Sequence, residues 1–158
     1  MMSKYCKEAY GIDHSEAVLR KGVNNIAHLN NVKVSKMSAY ELEFQENFFD
    51  QTCCMFNTFG NMKNEKAVLD EMVRTTKPGG HVIFSVFNLQ SIPERLEFYQ
   101  KTTLDDAHAE GIVIRSGNNF FSKTYSDEDI RRMCKVVGLE NVIIHQTRIA
   151  YVCEATKK

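Results

Sequence analysis

An acidic residue where a short apolar run meets the start of a helix is the first candidate for chemistry. Ala9-Tyr10-Gly11-Ile12 ends in Asp13, with His14 beside it and a helical stretch opening at Ser15. If the run is a strand of an open α/β sheet, its carboxyl end is where such sheets bind ligands. A carboxylate there can accept from two vicinal hydroxyls, such as those of a ribose. The plainer alternative is a residue of the turn that caps the helix at Ser15. A second set follows the apolar run of residues 52–57: Asn57, Thr58 and Asn61 emerge from it directly. Polar residues there either line a pocket or cap the next helix; Asn57 suits the pocket, Asn61 the cap. Ser85 and Asn88 stand near the end of a third apolar run, and Asn88 reads equally as substrate-facing or as a turn residue.

Other chemistries find little support. The five cysteines (Cys6, Cys53, Cys54, Cys134 and Cys153) are odd in number and show no C-x-x-C spacing, so neither a disulfide framework nor a zinc site is expected. Cys53 and Cys54 read as buried, reduced thiols within a strand. The five histidines include no pair at metal-ligand spacing on one face, and no metal is expected. Lysine plus arginine balances aspartate plus glutamate at 20 each, which leaves no electrostatic footprint for nucleic acid or an anionic membrane. No apolar run approaches the ~20 residues that span a bilayer. The first residues, MMSKYCKEAYG, lack the apolar core of a signal peptide. The expectation is a cytoplasmic protein with neither a nucleic-acid nor a membrane partner.

These residues need elements to position them, and the patterning supplies an alternation of strands and helices. Residues 9–13 read as a strand and 15–29 as a helix capped by Ser15, with Ala17, Val18, Val23, Ile26, Ala27 and Leu29 as its apolar stripe. A short strand is expected at 32–36, and a strand buried on both faces at 52–57. A helix follows at 63–76, stopped by the Lys77-Pro78-Gly79-Gly80 turn, and then a strand at 81–87. Beyond it the pattern predicts a helix over 92–108, a short extended stretch at 111–115 and a loop at 117–123. Ser126 caps a helix at 127–137 that Gly138 stops, and strands at 142–146 and 149–155 pair antiparallel. The expected fold is α/β: a mostly parallel sheet covered by helices and ending in an antiparallel hairpin, in a single domain over 1–158.

Four stretches in this order resemble the class I S-adenosylmethionine-dependent methyltransferases. YGIDHSEAVL is similar to the family's second strand, and MSAYELEFQENFFD to the segment that contacts adenine and leads into the fourth. CCMFNTFGNM resembles the loop facing the methionine part and the substrate, and RTTKPGGHVIFSVFN the turn and fifth strand. The tail SKTYSDEDIRRMCKVVGLENV fits the family's last helix and sixth strand. The resemblance implies a Rossmann-like three-layer sandwich with S-adenosyl-L-methionine as cofactor and a small-molecule methyl acceptor. It assigns cofactor binding to Asp13 with its neighbour His14, to Ser38 and the Ala39 N–H at the adenine, and to Asn57. Thr58, Asn61 and Asn88 fall toward the substrate. Ser38 stands where the family often carries an acidic residue, so a bond from Ser38 to the base lacks charge assistance. Tyr99, Phe120, Phe121 and Tyr125 read as core.

The sulfonium methyl is already activated, so alignment and exclusion of water matter more than acid–base groups, and no catalytic residue is singled out. The family's Gly-rich first motif has no counterpart upstream of Asp13, which predicts a chain truncated at its N-terminus and lacking the first strand. In the family that strand lies between the second and fourth. Three arrangements follow: the flanking strands close up, a homodimer or other partner chain covers the slot, or the chain is part of a longer protein. The functional expectation is methyl transfer, the alternative a degenerate, non-catalytic member acting as an interaction or regulatory subunit.

Overall fold

The computed structural model describes residues 2–117 and 119–158. The chain divides into two compact units, Met1–Phe44 and Gln45–Lys158.

In the first unit a 3-10 turn, Met2–Tyr5, precedes β1 (Ala9–Asp13), α1 (Glu16–Ile26) and β2 (Val32–Lys36). β1 and β2 pair in parallel, from Ala9 opposite Val32 to Asp13 opposite Lys36. A parallel pair needs a crossover, and α1 provides it. Ser15 is the N-cap, its Oγ accepting from the Val18 N–H at 3.4 Å. No α1 side chain is buried, and Val18 and Val23 of the expected apolar stripe are about half exposed.

The second unit is built on a four-stranded sheet ordered β3-β4-β9-β8. Its strands are β3 (Phe49–Cys54), β4 (Thr76–Phe87), β8 (Leu139–Gln146) and β9 (Ala150–Lys157). β3 and β4 are parallel, and β9 runs antiparallel to both β4 and β8. α2 (Glu65–Thr75) connects β3 to β4, and α4 (Asp127–Val136) leads into β8. The core gathers on β4 and its neighbours: Val82, Phe84 and Val86 are buried with Cys153 and Ala155 of β9, Leu69 of α2 and Ile130 and Cys134 of α4. Phe59 closes it edge-on to Phe84 at 5.0 Å between centroids.

Three expectations need correction. The strand expected at 52–57 lies at 49–54 and is an outer strand, with Asp50, Gln51 and Cys53 exposed, so Cys53 is not a buried thiol. The Lys77–Gly80 stretch does stop α2, but its backbone stays in the β4 ladder. Thr76 pairs with Phe49 and His81 with Gln51, the residues between forming an irregularity that Gly79 permits at φ 74°. Residues 108–123, read as a helix end, a short extended stretch at 111–115 and a loop, form an antiparallel sheet of β5 (His108–Glu110), β6 (Val113–Ser116) and β7 (Phe120–Lys123), so that only the extended stretch has a counterpart, in β6. Gly111 and Gly117, at φ 60° and 53°, follow β5 and β6, where the chain must reverse. α3 (Ile92–Thr102) accordingly ends before this sheet.

Candidate functional site

In the first unit, Asp13 ends β1 and Ser38-Ala39 follow β2, so the register of the two parallel strands brings them to one edge. The ladder extends one step beyond the strands, with the Met37 N–H donating to the Asp13 carbonyl at 3.1 Å. Asp13 Oδ1 accepts from the Ser15 N–H at 2.8 Å, which fixes the carboxylate beside the first turn of α1. His14 Nδ1 lies 3.6 Å from the same oxygen on an exposed ring. Oδ2 has no protein partner among the described residues, and the side chain is about one-third exposed. Ser38 is exposed, its Oγ accepting from the Tyr40 N–H at 3.2 Å in a turn closed by an isolated bridge to Glu41. That turn leaves the Ala39 N–H without a backbone acceptor among the described residues. A pinned carboxylate with one open oxygen, next to an open N–H on the neighbouring strand end, suits a ribose diol and a base. The donor set therefore fits the adenosine part of S-adenosylmethionine.

In the second unit, the carboxyl ends of β3 and β4 are tied together by side chains. Phe56 and Asn57 both take left-handed conformations, at φ 59° and 58°, directly after β3. Asn tolerates this region, whereas for Phe it is strained. The turn is held because the Phe56 N–H donates to Ser85 Oγ at 2.8 Å and the Asn57 N–H to the Ser85 carbonyl at 3.2 Å. The Asn57 side chain is buried: Oδ1 accepts from the Phe87 N–H at 2.9 Å and Nδ2 donates to Ser122 Oγ at 3.0 Å. The consequence is that Phe56 stands 93% exposed at the strand end.

Thr58 turns its hydroxyl back to the Met55 carbonyl at 2.8 Å. Asn61 is exposed within the 3-10 turn Phe59–Asn61; the cap of α2 is Asn64, which accepts from the Ala67 N–H. Asn88 is fully buried. Its Oδ1 accepts from the Ser91 N–H at 3.0 Å, and its Nδ2 donates to the carbonyls of Thr147 and Arg148. It locks the end of β4 to the turn before β9. Sequence reasoning missed the centre of this network: Ser122 Oγ receives Asn57 Nδ2 and also Arg95 Nη2, the latter at 2.5 Å. Neither residue carries a motif, and the link joins α3 to β7 only through the fold.

Ionisable groups near the strand ends are shifted mainly by burial. It raises the Cys54 thiol to about 11 and pushes the Tyr125 phenol well above its usual range. Among the described residues no cluster of three His, Cys, Asp or Glu side chains could hold a metal ion. Among them also, no helix is long and apolar enough to cross a membrane.

Comparison with known proteins bears on the fold and the family. Among solved structures, PH0226 protein from Pyrococcus horikoshii OT3 matches with a TM-score of 0.78 at 18% identity, covering 99% of this chain and 74% of that one. A S-adenosylmethionine-dependent methyltransferase from Clostridium acetobutylicum matches at 0.73 and 14% identity, over 99% of this chain and 77% of that one. Both likenesses establish the fold, a Rossmann-like α/β architecture. Demethylmenaquinone methyltransferases of Staphylococcus aureus, strains JH9 and Newman, are 35% identical over 92 residues. That match covers 58% of this chain, and the chain spans 38% of the length of those relatives. The family described as "Methyltransferase domain" matches residues 1–84, more than half the sequence, and the chain belongs to that family.

Proposed function

We propose that residues 1–158 work as one domain in S-adenosylmethionine-dependent methyl transfer to a small-molecule acceptor. The observation that carries this reading is the shared edge in the first unit, where Asp13, pinned through Oδ1 and open at Oδ2, lies beside Ser38 and Ala39. In this reading Asp13 takes the ribose hydroxyls, His14 flanks them, Ser38 bonds the base and the Ala39 N–H meets an adenine ring nitrogen. The cofactor supplies an electrophilic sulfonium methyl, so the chain has only to hold its adenosine end, align the acceptor and exclude water. Asn57 and Asn88 act as positioning residues for the strand-end turns, because their amides are occupied by protein. Thr58 and Asn61 lie on the same connection, toward the acceptor. The relatives named for demethylmenaquinone support a small acceptor molecule.

Calorimetric titration with S-adenosylhomocysteine tests the reading. Saturable heat is expected from the wild type. Asp13→Asn keeps an oxygen for the Ser15 N–H but removes the charge, and should weaken binding by about tenfold or more. No heat up to roughly 1 mM ligand from folded protein would overturn cofactor binding and favour a non-catalytic member of the family.

A further inference from the structure

Arg95, on the first turn of α3, is 5% exposed, and among the described residues its charge has no counter-ion. Its guanidinium carbon sits 3.8 Å from the centroid of the Phe87 ring and 5.7 Å from that of Tyr99. Nη2 is used by Ser122, but Nε and Nη1 are buried without a hydrogen-bond partner among the described residues. The adjacent Glu94 does not neutralise it, since its carboxylate is held by Arg148 at 2.8 Å. Burial lowers the Arg95 pKa, with the Tyr99 phenol acting in the opposite sense. A guanidinium nevertheless keeps its proton at neutral pH. A buried cation with two unused donors is costly to a fold, and such groups are normally paired.

The same residue lines a cavity of about 290 Å³, together with Phe87, Glu94, Phe98, Tyr99 and Ile149. Three aromatic walls and the Arg95 cation, with the Glu94 carboxylate of the same lining taken up by Arg148, define what fits: a flat apolar body bearing an oxyanion. The volume is near the lower end for small-molecule sites, which is room for one or two rings. Phe87 is the last residue of β4, so the cavity opens at the carboxyl end of a strand, where ligands of open α/β sheets bind.

We infer that this cavity binds a ring-bearing carboxylate, its charge met by the buried Arg95 guanidinium and its ring lying against Phe87, Phe98 and Tyr99. Resting on the proposed methyl transfer, this names the acceptor class as a small aromatic or cyclic carboxylate.

Benzoate and its neutral isostere benzamide are the probes, titrated into the full chain without cofactor and followed by NMR. Benzoate should shift the amide signals of Phe87, Phe98 and Tyr99 saturably and bind at least about tenfold more tightly than benzamide. In the wild type, the Arg95 Nε–H resonance should move with benzoate and not with benzamide, a reading independent of any variant's folding. Arg95→Met should abolish the preference for benzoate. Phe98→Ser, at a half-exposed wall, should weaken both probes while preserving their ratio. Equal affinities for the two probes, a static Arg95 Nε–H signal, or no binding at about 10 mM would each overturn the inference. Because no cofactor is present, benzoate binding without S-adenosylhomocysteine binding would uphold the cavity and sink the methyltransferase reading. The reverse pattern would sink only the acceptor class.

Discussion

Asn57 shows how one residue can hold two strand ends and a strained turn together. Its backbone lies in the left-handed region, as does that of Phe56, where a bulky residue costs about 1–2 kcal/mol. The bonds to the Phe87 N–H and Ser122 Oγ offset that strain. They also require an empty space beside the amide: a Cβ at Gly60 would lie 2.2 Å from Asn57 Nδ2. Asn57→Ala should therefore destabilise by about 2–3 kcal/mol, leaving the Phe87 N–H without its acceptor. Gly60→Ala should cost about 2 kcal/mol in the wild type and distinctly less in the Asn57→Ala background, a coupling of about 1 kcal/mol in denaturant unfolding. Additive effects would show that the amide does not occupy that space. The sequence marked Asn57 because a polar residue leaving an apolar run is conspicuous. Arg95 was invisible because IPERLEFYQKT reads as a surface helix, where arginine ordinarily meets solvent. Its burial depends on Phe87 and Ser122, which only the tertiary fold brings beside it.

Where local chemistry decides an element, the sequence showed it. β1 and β2 have the expected bounds, and the capping pattern placed the start of α4. The extended stretch expected at 111–115 overlaps β6, but β5 and β7 escaped because they are three or four residues long, too short for periodicity to separate them from helix or loop. α4 offers a sharp test at this scale. Ser126 Oγ accepts from the Asp129 N–H at 3.1 Å, and Asp129 Oδ2 accepts from the Ser126 N–H and hydroxyl. Although burial pushes Asp129 upward, these bonds and Arg132 together hold its pKa below the usual carboxylate value. A carboxyl group lowered by folding adds stability that is fully present above its unfolded pKa and lost as pH falls through the folded one. Ser126→Ala should therefore cost about 1 kcal/mol near pH 7. The gap from the wild type should begin to narrow as pH falls below the ordinary aspartate value of about 4, and close as Asp129 itself is protonated at still lower pH. Urea midpoints across this pH range check this; a gap that stays constant would mean that the Asp129 charge takes no part in the cap.

At the scale of the whole chain, the two units differ in how much side-chain surface they bury. Among the described residues of Met1–Phe44, Met37 is the only buried one, whereas Gln45–Lys158 buries Phe59, Phe84, Leu69, Ile114 and Ile130 completely or nearly so. A two-stranded sheet with one helix and almost no core is marginal by itself, and local opening follows low burial. Yet this is the unit that carries the edge proposed for adenosine. A ligand that binds only the closed form adds RT ln(1 + [L]/Kd), about 2.7 kcal/mol at a hundredfold excess over Kd. Amide hydrogen exchange should accordingly be fast in β1, α1 and β2 of the free protein and slow in β4 and β9. Near-saturating S-adenosylhomocysteine should then slow exchange in β1, β2 and the 37–40 turn by about a hundredfold, while β4 and β9 change little because they are already protected. Equal protection of β1 and β4 without ligand would refute the argument from burial. Protection gained in β4 but not in β1 and β2 would place the nucleoside away from Asp13.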